Sequence, residues 1–364
     1  MITDDFQHIA PYEDADIPAA IHRVLAHPLL PAVIRKLNPE ADIEEVRHHT
    51  AAISTVEDYQ RMVMLPLLMH ILNTSSAGLT TEGFEQLSRD ESYLFVSNHR
   101  DISLDAALFT MQLIRRNLPA CEIAFGDNLL ANSLVEELSR INRMFPILRG
   151  GTRKELYAAA IQVSRYIRHV LLEKHRSVWI AQRNGRTKNG DDRTEPGLFK
   201  MFSSSSDADF VASMAQLNIV PVAISYELEP CADAKIRELM VVQQGIHYEK
   251  SPDEDVKSVL QGILQPKGAI HITVCKPITT EELEGCVAAS RSSLHGVSSN
   301  TPYQALASLL DQRIYQGYYL HKSNMDAYEK YRQHPPVEPY TEQDLMLKLY
   351  ANPVLNKMAC TPNA

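Results

Sequence analysis

The chain has 364 residues, 45% of them apolar and 22% charged, enough to bury a core in one large domain or two ordinary ones. A formal net charge of −9 and a pI of about 5.9 exclude a general nucleic-acid binder, which would carry a basic face. The five cysteines, Cys121, Cys231, Cys275, Cys286 and Cys360, are odd in number and widely spaced, so they read as reduced thiols of a cytosolic protein and not as a disulfide framework or a zinc site.

The amino terminus, Met1-Ile2-Thr3-Asp4-Asp5, is acidic and lacks the basic region of a secretory signal. Residues 1–80 are expected to form a helical region. Ile17, Ile21, Val24 and Leu25 recur at helical spacing, Asp42 opens a second helix, and Ser54-Thr55-Val56-Glu57 offers a third start. The apolar stretch Met62–Leu72 contains Pro66 and His70 and falls short of the about 18 apolar residues a membrane span needs. Its expected place is packed on the main domain, with contact to a membrane surface as the alternative.

From Gly83 the pattern alternates. Apolar runs predict strands at Tyr93–Val96, Glu122–Phe125, Met144–Leu148, Val178–Ala181, Ile219–Ser225 and Ile270–Cys275. Helical stretches lie between them at Asp105–Arg115, Leu129–Arg140, Lys154–Glu173 and Asp207–Leu217, the last with Ser206 as a possible cap. This implies an α/β domain over 81–330 with a mostly parallel central sheet flanked by helices. Ala288–Pro302 reads as a surface loop and Thr301–Tyr319 as a helix. Residues 331–364 read as a tail with a short helix near Gln343–Tyr350.

Four strand ends carry chemistry. Leu94-Phe95-Val96-Ser97 delivers Asn98-His99, with carboxylates at Asp101 and Asp105; a histidine oriented by a carboxylate can take a proton from an alcohol. Phe145-Pro146-Ile147-Leu148 ends in Arg149-Gly150-Gly151, a cation beside backbone that can approach a ligand closely. Trp179-Ile180-Ala181 runs into Gln182-Arg183-Asn184-Gly185-Arg186-Thr187-Lys188, with Arg193 beyond, and arginine forks suit phosphate oxygens. Ile219–Tyr226 carries Pro221, which cannot donate to a ladder, so this strand is expected at an edge or locally irregular.

The order of these four segments, over Gly83–Ile278, resembles the glycerolipid acyltransferases, the superfamily of glycerol-3-phosphate and lysophosphatidate acyltransferases. Asn98-His99 with Asp105 is similar to its Asn-His-x4-Asp motif, although Leu104 holds the usual aspartate place. Arg149 matches its arginine after a strand, Asn184-Gly185-Arg186 its Glu-Gly-x-Arg or Glu-Gly-Arg motif with Asn for Glu, and Val220-Pro221-Val222 its strand with a central proline. The resemblance implies acyl transfer from an acyl thioester, acyl-CoA or acyl-carrier protein, to a hydroxyl of a phosphate-bearing lipid acceptor, without a cofactor. It gives His99 the role of general base and Asp105 that of its partner, with Asp101 as the rival. Arg149, Arg183, Asn184, Gly185, Arg186 and Pro221 would bind substrate. It also implies a cytoplasmic protein, peripheral on the inner membrane face. Two other readings fit the residues alone: a metal-dependent hydrolase using His99, Asp101 and Asp105 as ligands, or a non-catalytic lipid-binding protein of the same fold.

Overall fold

Seven short strands pair into one sheet: β1 (Gly78–Glu82), β2 (Leu94–Ser97), β3 (Glu122–Gly126), β4 (Met144–Ile147), β5 (Val178–Ala181), β6 (Ile219–Tyr226) and β7 (Ala269–Val274). The computed structural model describes residues 6–130, 132–251, 253–291 and 301–360. Sheet order is β1-β7-β6-β2-β5-β3-β4. All neighbouring pairs are parallel except β6 with β7. The α/β class and the mostly parallel sheet follow from the strand–helix alternation, because strands covered on both faces must be apolar throughout. β1 has no such signature. Its sequence, Gly-Leu-Thr-Thr-Glu, sits at the sheet edge with one apolar residue, and it places the first strand two residues before the expected end of the helical region.

Helices cover both faces. On one, Leu68, Ile71 and Leu72 of Leu65–Ser75 and Phe109 and Leu113 of Leu104–Arg115 pack on Phe95, Val220 and Ile272. On the other, Tyr166 and Ile167 of Arg153–Arg168, Phe199 and Phe202 of Pro196–Ser203, and Leu310 and Ile314 of Pro302–Gly317 pack on Leu94, Val96, Val178 and Ile180. The segment Met62–Leu72 is thus seated on the main domain. Pro66 follows closely on the π-helical turn Gln60–Met64, whose wider winding accommodates a residue that cannot donate. Ile17, Ile21 and Val24 close with Tyr59 on Leu134 and Ile141. Among the described residues no single helix is long and apolar enough to cross a membrane. One pair bent by 84°, Asp14–Ala26 with Leu30–Leu37, has the length and composition to do so. Its Ile17, Ala20, Ile21 and Val24 are buried in the cluster just described.

Two expectations change. β6 is not an edge strand but the third of seven, between β7 and β2. Pro221 is tolerated there because it lies one residue beyond the paired length of β7. Its carbonyl accepts from Cys275 N (2.9 Å), and the Cys275 carbonyl, which a residue-221 N–H would have met, accepts from Gln86 Nε2 instead (3.1 Å). The carboxyl-terminal segment is no tail. Glu342–Ala359 is one long helix, packed on Lys322–Gln333 and on the domain. Pro353 inside it cannot donate to the Leu349 carbonyl, and that carbonyl lies against Gly190, where a Cβ would stand 2.2 Å from it. Asn352 Nδ2 donates to Asn189 O (2.7 Å), so this helix braces the loop that follows β5. Smaller differences concern caps and loops. Asp209, not Ser206, caps Phe210–Ala215 by accepting from Ala212 N (2.9 Å). The loop expected at Ala288–Pro302 is helical to Arg291, and residues 292–300 of it lie outside the described residues.

Candidate active site

β2, β4 and β5 run parallel and end on one edge, so the segments that follow them meet there. The Asn98–Asp105 loop is the centre. Asn98 ties β2 to β6: its Oδ1 accepts from Ile224 N (2.8 Å) and its Nδ2 donates to Ile224 O (3.0 Å). His99 comes next and directs Nδ1 at Asp105 Oδ2 (3.0 Å). An ionised carboxylate only accepts, so the proton sits on Nδ1 and Nε2 is left as the basic nitrogen. The same Asp105 oxygen accepts from Arg100 N (2.6 Å) and Asp101 N (2.9 Å), and Oδ1 accepts from Tyr226 OH (2.9 Å). Burial, with Asp105 adjacent, pushes the Tyr226 hydroxyl well above its ordinary range, so it stays a donor.

The extra residue between His99 and Asp105 is absorbed by a cap. Asp101 Oδ1 accepts from Ser103 N (2.9 Å) and Leu104 N (2.8 Å). It closes a short turn and starts Leu104–Arg115 with Asp105 in its first turn. Asp101 therefore faces the helix end and not His99. Its other oxygen is buried without a partner. Burial, and then Asp105 beside it, raises the Asp101 pKa against the pull of the Leu104 and Ser103 N–H groups.

A second layer sits behind this loop. Arg100 is buried between Asp192 (NH2 to Oδ2, 2.6 Å) and Glu229 (NH1 to Oε2, 3.2 Å). Lys235 Nζ donates to Glu229 Oε1 (2.6 Å) and to the Arg100 carbonyl (2.7 Å). Asn98 Nδ2 and Tyr318 OH also donate to Asp192 Oδ2 (3.1 and 2.5 Å). Burial works against the Arg100 charge, but Asp192 and Glu229 override it and its pKa rises.

In front of the loop is a cavity of about 560 Å³. Its apolar part is lined by Leu65 and Leu68, by Ala106, Met111 and Ile114 of the helix after His99, and by Phe125 and Met144. Its polar part is lined by His99, Arg149, Arg183, Asn184, Gly185, Arg186 and Lys188. Arg149 reaches it across Gly126, where a Cβ would lie 2.2 Å from the guanidinium Nε. Gly185 has φ +75°, with open space where a side chain would go. Thr187 N donates to the His99 carbonyl (3.0 Å), which fixes this loop against the histidine. Arg186 is buried, with NH1 unpartnered, and none of Arg149, Arg183 and Arg186 forms an ion pair among the described residues. Lys188, by contrast, is paired with Glu238.

The structure thus brings together every residue expected in the site except Pro221, which stays in the sheet and is not among the lining residues. Arg193 is also elsewhere, exposed and paired with Asp191 (2.9 Å). Tyr226, Arg100, Asp192, Glu229, Lys235 and Glu238 carried no readable signal, because a buried polar network depends on contacts between distant segments. Among the described residues, no group of three or more His, Cys, Asp or Glu is placed to hold a metal ion.

Comparison with known proteins gives a matching picture. No curated protein matches the sequence significantly. Among solved structures, the 1-acyl-sn-glycerophosphate (LPA) acyltransferase PlsC from Thermotoga maritima is similar at 10% identity, covering 82% of this chain and 91% of that one. Its TM-score of 0.36 is too low to carry a structural argument. The family model described as Acyltransferase matches residues 78–225. That span runs from β1 to the penultimate residue of β6 and contains His99, Asp105, Arg149 and Arg186. Over residues 78–225, about two fifths of the chain, the sequence is thus similar to the Acyltransferase family.

Proposed function

We propose that the protein transfers a fatty acyl group from an acyl thioester, acyl-CoA or acyl-carrier protein, to a hydroxyl of a glycerol-phosphate or lysophospholipid acceptor. The observation that carries this is the position of the His99–Asp105 pair, at the junction of an apolar cavity and a group of arginines without ion-pair partners. In this reading His99 Nε2 takes the proton of the acceptor hydroxyl while Asp105 stabilises the imidazolium. The alkoxide oxygen bonds to the thioester carbonyl carbon. The tetrahedral intermediate then expels the thiolate, which recovers the proton from Nε2. The Gly185 N–H is a donor for the oxyanion; Pro221 has no N–H to offer. The apolar wall holds the acyl chain, and Arg149, Arg183 and Arg186 hold the acceptor phosphate.

The test is thiol release from acyl-CoA with glycerol 3-phosphate or lysophosphatidate as acceptor. The wild type should release thiol in an acceptor-dependent manner, and Arg186→Gln should raise the KM for the acceptor about tenfold or more by removing a charged hydrogen bond. Release that ignores the acceptor would point to hydrolysis and overturn the transfer. Because lipid acceptors reside in bilayers, we also propose that the protein is cytoplasmic and binds the inner membrane face peripherally, through its amino-terminal helices. It should float with anionic liposomes, and a protein that stays at the bottom of the gradient removes this part of the reading.

A further inference from the structure

β6 and β7 are antiparallel neighbours, which a turn of a few residues suffices to join. Here the connection between them, 227–268, holds two helices, Ala232–Val242 and Glu254–Leu264, and lies beyond the end of the family match at residue 225. It is built onto the catalytic loop. Lys235 holds the Arg100 carbonyl (2.7 Å), and Gly262 packs so closely on Asp101 that a Cβ would stand 2.1 Å from Oδ2. It also forms one wall of the cavity, with Glu238, Lys250, Asp255, Val256 and Val259.

The charges on that wall are arranged differently from those on the strand-end loops. Among the described residues the cavity's arginines lack ion-pair partners, whereas its two lysines are neutralised, Lys188 by Glu238 and Lys250 by Asp255 (2.7 Å). Asp255 is occupied on both oxygens, since Oδ2 also accepts from Asn128 Nδ2 (2.6 Å). Among the described residues Glu238 bonds through Oε2 alone. Its Oε1 is left as a carboxylate acceptor on a cavity whose other side is cationic, with the Arg186 NH1 atom buried and unpartnered. A carboxylate there repels phosphate and accepts from hydroxyls. We propose that the β6–β7 connection is a specificity module and that Glu238 reads a free hydroxyl of the acceptor, beyond the phosphate held by the arginines. The preferred acceptor is then a hydroxyl-bearing glycerophosphate. This rests on the acyl-transfer reading for its meaning but is tested independently of it.

The experiment is calorimetric binding of glycerol 3-phosphate and of inorganic phosphate to the wild type and to Glu238→Gln, with thiol release measured in parallel. Glu238 is partly exposed and Gln is near-isosteric, so the variant should fold. Glycerol 3-phosphate should bind about tenfold more weakly, the loss expected for one hydrogen bond to a charged group. Inorganic phosphate should bind equally or more tightly, because Lys188 is no longer neutralised. Equal changes for both ligands would show a charge effect only, and an unchanged glycerol 3-phosphate affinity would show no contact; either overturns the proposal, as does a wild type that binds neither ligand. If binding depends on Glu238 but no acyl transfer is seen, the module stands and the reaction reading falls. If transfer is seen without that dependence, the reverse holds.

Discussion

Replacing Arg100 by Met should destabilise the protein by about 3–5 kcal/mol, the usual effect of removing one partner from a buried ion network. The guanidinium lies between Asp192 and Glu229, all three side chains almost entirely out of solvent. Lys235 pairs only with Glu229 among these acids, so the four charges balance two against two. Without Arg100, Asp192 keeps the Asn98 and Tyr318 donors but loses the one ion-pair partner it has among the described residues. Met fills similar volume, which separates charge from shape. Against a total stability of about 5–15 kcal/mol, the shift would be plain in a urea titration. The double variant Arg100→Met/Asp192→Asn restores charge balance and should recover much of the loss. A single variant within about 1 kcal/mol of wild type would show that the network does not hold the loop.

That network marks the boundary of what the residues reveal in order. Strand-end positions are legible because burial imposes a local pattern: an apolar run stops, and His99, Arg149 or Arg186 follows at the sheet edge. The helix after His99 is legible as the apolar run Ala106-Ala107-Leu108-Phe109, and it is buried on almost every side. Asp192 and Glu229 give no such signal. They lie in loops and pair with Arg100 across roughly a hundred residues of chain, so nothing adjacent in sequence distinguishes them from solvated acids. Pro221 misled for a related reason. A proline removes one donor, which argues for an edge only if the missing partner lies along the ladder. Here β7 has already ended and Gln86 takes the carbonyl. The carboxyl-terminal helix runs past the short stretch expected near Gln343–Tyr350, through Pro353, and the carbonyl that this proline frees is packed against Gly190.

The histidine loop gives the largest expected effect on activity. His99→Ala should lower kcat/KM for acyl transfer by about 10²–10⁴-fold, the usual contribution of a positioned general base, with circular dichroism unchanged. The two aspartates near it should then separate. Asp105 binds the His99 ring, two backbone N–H groups and the Tyr226 hydroxyl at once. Asn at 105 cannot accept on both sides, so the imidazole loses its fixed tautomer, and the fall should approach that of His99→Ala. Asp101 is a helix cap with one oxygen buried and unpartnered, and Asn caps about as well as Asp. Asp101→Asn also removes a buried carboxylate whose pKa burial has already raised, so it should leave stability equal or slightly higher, and activity should fall far less than in Asp105→Asn because Asp101 does not touch the His99 ring. The two variants differ by one nitrogen for one oxygen at positions four residues apart, and only the hydrogen-bond geometry predicts that they behave differently. A larger loss at 101 than at 105, in folded proteins, would mean that the histidine is oriented from the cap side, and the roles given to both residues would have to be exchanged.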